Sequence, residues 1–323
     1  MKRRDKLKRG LSKWTKCIAI FALVLLACIC VDKGDLSVQA SNIGYIYDIS
    51  QTDAQKKSLT IGWSNAQNAT SYNVYYKKYG AENDYKLAGT TAATSFTLSN
   101  LKAGTKYDVK VAPVNGSEVG YARTLYDAVT LPDKMNGLKQ KKWWFFIKVL
   151  DVTWDKQSAA DGYEVILYDN TGKKVTKTTV KYNGISFRKM KDKVYSVKAR
   201  SYMTYKGKKY YSSWKKIYCL NQARIKKIGV KNKKLNISWG KISGATGYRI
   251  YVSTNAKKGY KRVATVSKNK SSYSLKKFKG KKISSKKTYY VYVETVCNKK
   301  GSKNSSGGLY YWNSKTGNFG YIH

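Results

Sequence analysis

Two kinds of side chain dominate the chemistry open to this chain, the cationic and the aromatic. Lys276, Lys277, Lys279, Lys281, Lys282, Lys286 and Lys287 crowd into the run 276–287. Upstream, Lys141-Lys142-Trp143-Trp144-Phe145-Phe146-Ile147-Lys148 sets four consecutive aromatics between lysines. Clustered ammonium groups draw in polyanions, and aromatic faces stack on rings or sit at membrane interfaces. The cations are 55 Lys against 9 Arg. Lysine is a hydrated point charge without arginine's planar fork. The expected chemistry is therefore salt-sensitive attraction to a charged polymer rather than recognition of one specific group.

Catalytic groups are scarce. The one histidine is His323, which argues against a serine, cysteine or metal site built around an imidazole. Residues 41–323 hold only 15 acidic side chains, and no reasoned pair of catalytic groups can be assembled from them. The expectation is a non-enzyme with no cofactor and no metal.

The charge is unevenly spread. Of the net +46, residues 41–133 contribute +1 (9 basic, 8 acidic), residues 134–219 contribute +15 (21 and 6) and residues 220–323 contribute +24 (25 and 1). A length of 323 residues suggests two domains, or three small ones. The 29 Tyr and 8 Trp speak for a folded, β-rich chain rather than a disordered basic tail.

Residues 1–40 read as a secretory signal peptide. A basic head (Met1–Lys16) precedes fifteen uncharged residues, Cys17–Val31, and Val38-Gln39-Ala40 offers a small-residue exit. The apolar run is short for a bilayer span of about 20 residues, although an uncleaved anchor is the alternative. A lipidation signal at Leu25-Leu26-Ala27-Cys28 ranks last. Cys17, Cys28 and Cys30 would leave with the signal, so the exported chain keeps Cys219 and Cys297. These two allow one disulfide or two small buried hydrophobes.

A pattern occurs three times in the remainder: Leu59–Trp63 then Tyr72, Leu150–Trp154 then Tyr163, and Leu235–Trp239 then Tyr248. Trp63, Trp154 and Trp239 each stand nine positions before their tyrosine. The apolar/polar alternation around each is that of a half-buried antiparallel strand. Later in each repeat, Tyr107, Tyr195 and Tyr289 open another alternating strand, and Tyr107 follows a Gly-containing corner. This is the arrangement of a tyrosine corner.

The early Trp, the Ala-x-x-Tyr after it and the late Tyr corner resemble fibronectin type III modules. The variant is similar to one in surface proteins of Gram-positive, clostridia-like bacteria. The segments that carry the likeness are Trp239-Gly240-Lys241-Ile242-Ser243-Gly244-Ala245-Thr246-Gly247-Tyr248 and Gly207-Lys208-Lys209-Tyr210-Tyr211-Ser212-Ser213-Trp214-Lys215-Lys216. The resemblance implies an all-β chain of three tandem immunoglobulin-like β-sandwiches at 41–133, 134–219 and 220–323. It implies non-catalytic spacer or adhesive units. The joints near Pro132-Asp133 and 219–221 hold no long Gly/Ser or Pro-rich tether, so short, semi-rigid connections are expected. The resemblance also implies that Cys219, at the entry to the third module, meets Cys297 at the end of its sixth strand, and a disulfide is expected there.

In the third repeat Tyr248, Ile250 and Val252 point inward, so Arg249 and Tyr251 point out. Tyr290 and Tyr292 do the same on a neighbouring strand. These four side chains and the lysine loop 276–287 form the expected polyanion-binding surface. Trp143, Trp144, Phe145 and Phe146 fall in an apparent insertion of about five residues, counted from Leu138 against Ile228. They read equally as a platform for a sugar or lipid and as a contact between repeats one and two.

The leading expectation is a secreted, cell-surface protein that clings to an anionic cell-wall polymer or acidic polysaccharide. Asn318–His323 shows no sorting motif and no apolar tail, so retention by non-covalent attraction is expected. An adhesin for a host or neighbouring-cell glycan or protein is the second reading, and extracellular nucleic-acid binding is the third.

Overall fold

Leu59, Ile61 and Trp63 are buried, while Thr60 and Gly62 between them are half-buried. Leu235, Ile237 and Trp239 alternate in the same way. A two-residue period sends one row of side chains into a core and leaves the other facing outward. Among the described residues, every regular element is a β-strand. The computed structural model describes residues 42–82, 84–144, 146–299 and 309–322. Residues 1–40, where a signal peptide is expected, and Phe145 lie outside them. Chain packing separates Met1–Ile43 from Gly44–His323, and all three repeats belong to the second unit.

The first repeat runs β1 (Ile49–Ala54), β2 (Leu59–Trp63), β3 (Ser71–Lys78), β4 (Lys86–Thr91), β5 (Ser95–Leu98), β6 (Lys106–Asn115), β7 (Glu118–Val119) and β8 (Arg123–Val129). The second runs β9 (Lys139–Trp144), β10 (Val149–Thr153), β11 (Gly162–Tyr168), β12 (Lys174–Val180), β13 (Gly184–Phe187), β14 (Tyr195–Tyr205), β15 (Lys208–Tyr211) and β16 (Lys215–Cys219). The third runs β17 (Ile225–Lys231), β18 (Lys234–Trp239), β19 (Gly247–Ser253), β20 (Lys261–Ser267), β21 (Ser272–Leu275), β22 (Lys277–Phe278), β23 (Lys281–Lys282), β24 (Tyr289–Val296), β25 (Leu309–Trp312) and β26 (Phe319–Ile322).

Each repeat is a sandwich of two antiparallel sheets. The three-stranded sheets are β1-β2-β5, β9-β10-β13 and β17-β18-β21. Opposite them lie β4-β3-β6, β12-β11-β14 and β20-β19-β24. The last strand differs between repeats. In the first two, a pair of short strands (β7 and β8, β15 and β16) shares the edge of one long strand. In the third, β25 takes that edge and β26 is added outside it.

The nine-residue Trp–Tyr spacing has a local cause. The phenol oxygens of Tyr72, Tyr163 and Tyr248 accept hydrogen bonds from the backbone N–H of Ala66 (3.0 Å), Gln157 (2.8 Å) and Ile242 (2.8 Å), each six residues upstream. Each ring also lies against its tryptophan, with centroids 5.4, 5.2 and 5.6 Å apart. The tyrosine thus closes the connection between the two sheets and fills the core with one side chain. The expected tyrosine corners form in all three repeats. Tyr107, Tyr195 and Tyr289 accept from the N–H of Lys102 (2.9 Å), Lys191 (3.1 Å) and Ser284 (3.0 Å).

The connections between repeats are packed. Met203 and Tyr205, at the end of β14, are buried in the first repeat's core. Between repeats two and three, Ser243 N–H donates to Asp192 C=O (3.0 Å) and Val194 N–H donates to Ser243 C=O (2.8 Å). Asn170 Nδ2 adds a bond to Ser243 Oγ (3.0 Å). Gly244 follows at φ +85, where a Cβ would stand 2.6 Å from that of Asn170, so only glycine fits.

Two expectations are corrected here. Cys219 and Cys297 are not joined by a disulfide. Cys219 is buried in the second repeat's core and Cys297 in the third's, so the two thiols belong to different interiors. Burial pushes the Cys219 thiol up to about 12. The five-residue insertion before Trp154 is also absent. Lys139 pairs with Thr153 and Ile225 pairs with Trp239, so the strand equivalent to that around Leu138 begins at Ile225, not Ile228. What differs is the turn. Residues 145–148 join Trp144 to Val149, whereas Asn232-Lys233, both at positive φ, join Lys231 to Lys234.

Candidate functional site

The lysine run of the third repeat is held out by two buried anchors. Phe278 and Ile283 are buried, while Lys276, Lys277, Lys279, Lys281, Lys282, Lys286 and Lys287 are all exposed. Phe278 pairs with Lys281 across a tight turn, and Lys279 and Gly280 both take positive φ there (51° and 77°). That is the backbone a two-residue hairpin requires. Ile283 N–H closes the loop on Lys276 C=O, and the next residue, Ser284, is the one clamped by Tyr289. The tyrosine corner thus fixes the base of the lysine hairpin. Among the described residues none of the seven lysines makes an ion pair.

Arg249, Tyr251, Tyr290 and Tyr292 do share one face. Tyr251 stands opposite Tyr292, and Arg249 opposite Glu294, on β19 and β24. The face is less open than expected, because all four side chains are half-buried. The rings cover one another: Tyr251 stacks on Tyr292 at 4.6 Å, Tyr260 leans on Tyr292 at 5.3 Å, and Tyr290 meets Tyr311 at 6.2 Å. Arg249 is also occupied, with its guanidinium 3.3 Å from Glu294, and Tyr251 donates its hydroxyl hydrogen to the same carboxylate. Glu294 is the one acidic residue in 220–323. Burial, then the Tyr251 and Glu294 charges, hold the Tyr292 phenol above its usual value. Burial, then Tyr290 and Tyr292, raise Tyr260 to about 12. Both stay neutral donors at physiological pH.

The aromatic run does not form one platform. Trp143 turns into the second core, 5.9 Å from the ring of Tyr195. Trp144 points outward, its indole N–H donating to Asp151 Oδ2. The ammonium of Lys142 lies 3.6 Å from that indole, a cation–π contact. Phe146 is 62 % exposed and meets Tyr321 at 5.3 Å. The contact between repeats one and two is therefore corrected: this turn reaches repeat three. Strand alternation cannot reveal that, since the partner strand β26 lies more than 170 residues downstream.

Sequence reasoning also passed over Arg200. Its guanidinium lies 3.6 Å from the Tyr211 ring and 4.3 Å from Trp214, and it pairs with buried Glu164 at 2.8 Å. Lys177 holds the other Glu164 oxygen at 2.9 Å. Burial alone would raise this carboxyl, but the hydrogen bonds from Lys177 and Arg200 outweigh it and the net shift is downward. The recurrence of Glu164 and Arg249 ten residues after their tryptophans was visible in the sequence.

Residues 44–125 match the model of the fibronectin type III domain. The architecture is that of tandem fibronectin type III sandwiches after residue 41. Among solved structures, the chain is similar to a two fibronectin type III domain segment from chicken tenascin, at 18% identity and a TM-score of 0.36. That match covers 55% of this chain and 99% of the other. It is also similar to the FN1–FN3 domains of chicken CNTN1, at 14% identity and a TM-score of 0.26, covering 81% and 96%. No curated protein matches the chain. Fibronectin type III modules are typically non-catalytic binding or structural units.

Proposed function

We propose that this chain is an exported, non-catalytic protein of a Gram-positive-type cell surface, held on anionic envelope polymers by repeats two and three. The observation that supports this reading is the uncompensated charge of those repeats. They carry +15 and +24, and the densest lysine cluster stands exposed on an anchored hairpin and makes no ion pair among the described residues. Charge of one sign at that density attracts polyanions and is screened by salt. The nearly neutral first repeat is left free to face outward.

A second reading rests on repeat one. Tyr45 stacks on Tyr121 at 5.5 Å, and the two are 55 % and 70 % exposed. An exposed aromatic pair on a module of net +1 suits a neutral glycan in an adhesin. Binding of residues 41–323 to polyglycerol phosphate, duplex DNA and a neutral glycan across a salt series separates the readings. Polyanion attachment predicts polyglycerol phosphate binding that weakens steeply with salt. Tight, salt-insensitive binding of the neutral glycan alone would favour the adhesin.

A further inference from the structure

Two clefts share the turn that joins β9 to β10. One, of about 440 Å³, is lined by Phe146, Arg224, Lys226, Tyr310, Phe319 and Tyr321. The other, of about 630 Å³, is lined by Ile147, Lys148, Arg188, Lys189, Lys191 and Asp192. The first therefore offers rings with two cations, and the second offers four cations with one carboxylate. That carboxylate, Asp192, already accepts a hydrogen bond from Asn221 Nδ2 at 2.7 Å.

The two sets of side chains ask for different things from a ligand. Exposed lysines need only negative charge, whatever its carrier. Phe146 and Phe319, 62 % and 40 % exposed, gain only from a flat apolar face laid against them. Arg224 and Lys226 place positive charge beside that face, which suits a ligand that carries a carboxylate there. A polyol phosphate meets the charge requirement but has no ring. A neutral glycan has the ring and no charge. A uronate has both on one residue, and a chain of them can run from the aromatic cleft to the cationic one past residues 146–148.

We infer that the turn 146–148, with Arg224, Lys226 and Phe319, forms a subsite for an acidic polysaccharide built of ring-bearing uronate units. This rests on the polyanion reading above and narrows it to one polymer class. The rings come from β9–β10 of repeat two and from β26 of repeat three, so the subsite exists only while the packed connection at Ser243 holds the two repeats together. The lysine hairpin of 276–287 supplies attraction, and the subsite supplies selectivity.

The test uses residues 41–323 with two probes at one salt concentration, an oligomer of ten α-1,4-linked galacturonates and polyglycerol phosphate. Phe146→Ala/Phe319→Ala removes two exposed rings and no charge, and a thermal melt within a few degrees of the parent certifies the fold. The expected result is about five-fold weaker binding of the galacturonate oligomer, with polyglycerol phosphate changed less than two-fold. Arg224→Gln should likewise weaken the galacturonate more. Equal loss for both polymers, or no loss for either, overturns the subsite while leaving polyanion attachment standing. If the parent protein binds neither polymer, both proposals fall.

Discussion

Arg249 and Glu294 face each other across β19 and β24 at 3.3 Å. One repeat earlier, Glu164 and Arg200 hold the same two positions with the charges exchanged, at 2.8 Å. Each first partner lies ten residues after the core tryptophan, and each second partner lies five after the corner tyrosine. The first repeat has Asn73 and Ala112 there. At this position a cross-strand ion pair is thus built into the two basic repeats, and the first repeat has none there.

The two pairs differ in burial, and their loss should differ in cost. Glu164 is buried beneath Arg200 and Lys177, with its side chain 3 % exposed. Glu164→Gln strands two cations and should cost about 3 kcal/mol. Glu294→Gln, at the more open pair, should cost about 1 kcal/mol or less. Because the Glu164 carboxyl is lowered from 4.5 in the folded state, its contribution is full above that value and disappears as pH falls through the lowered one. Urea unfolding of parent and Glu164→Gln at pH 7 and pH 3 should show the difference shrinking at the lower pH.

Removing one oxygen from Tyr248 tests the loop closure. Tyr248→Phe keeps the ring on Trp239 but leaves the buried Ile242 N–H without its acceptor. That should cost about 1–3 kcal/mol. Tyr289→Phe exposes a less buried N–H at Ser284 and should cost about 1 kcal/mol. It should also loosen the lysine hairpin, which hydrogen exchange across 276–287 would detect as faster exchange.

Much of this fold is legible in the sequence because it obeys short periods. Leu59, Ile61 and Trp63 declare their faces by alternation, and the tyrosine corners follow from residues four or five apart. What is not legible depends on where distant surfaces land. Nothing near Met203 or Tyr205 says that they enter the first repeat's core. Nothing near Phe146 says that it reaches Tyr321. The lysine hairpin was visible as a run of charge, whereas the occupation of Arg249 by Glu294 required the strand register.

Gly244 is the residue on which the connection of repeats two and three turns. Gly244→Ala places a methyl group where Asn170 and Val194 stand, at a φ of +85. It should cost about 2 kcal/mol or more, and limited proteolysis should then cut near residues 219–224. The variant Asn170→Gly, which removes the Cβ that the new methyl would meet at 2.6 Å, should leave Gly244→Ala less damaging.

Within residues 41–323, Cys219 and Cys297 should both behave as buried thiols. With the Cys219 thiol pushed up to about 12, thiolate is scarce at neutral pH and alkylation slow. Intact mass should be the same with and without reductant. Thiol titration should find two reactive groups in denaturant and almost none in the native protein.

The central claim is that exposed lysines of repeat three hold a polyanion by charge alone. Its most direct measurement is the salt dependence of polyglycerol phosphate binding for residues 41–323 and for a variant with the seven lysines of 276–287 changed to glutamine. The account predicts a steep negative slope of log affinity against log salt for the parent, shallower by roughly 3 or more in the variant, as counterion release requires. Equal slopes for the two proteins, or binding that ignores salt, would contradict it.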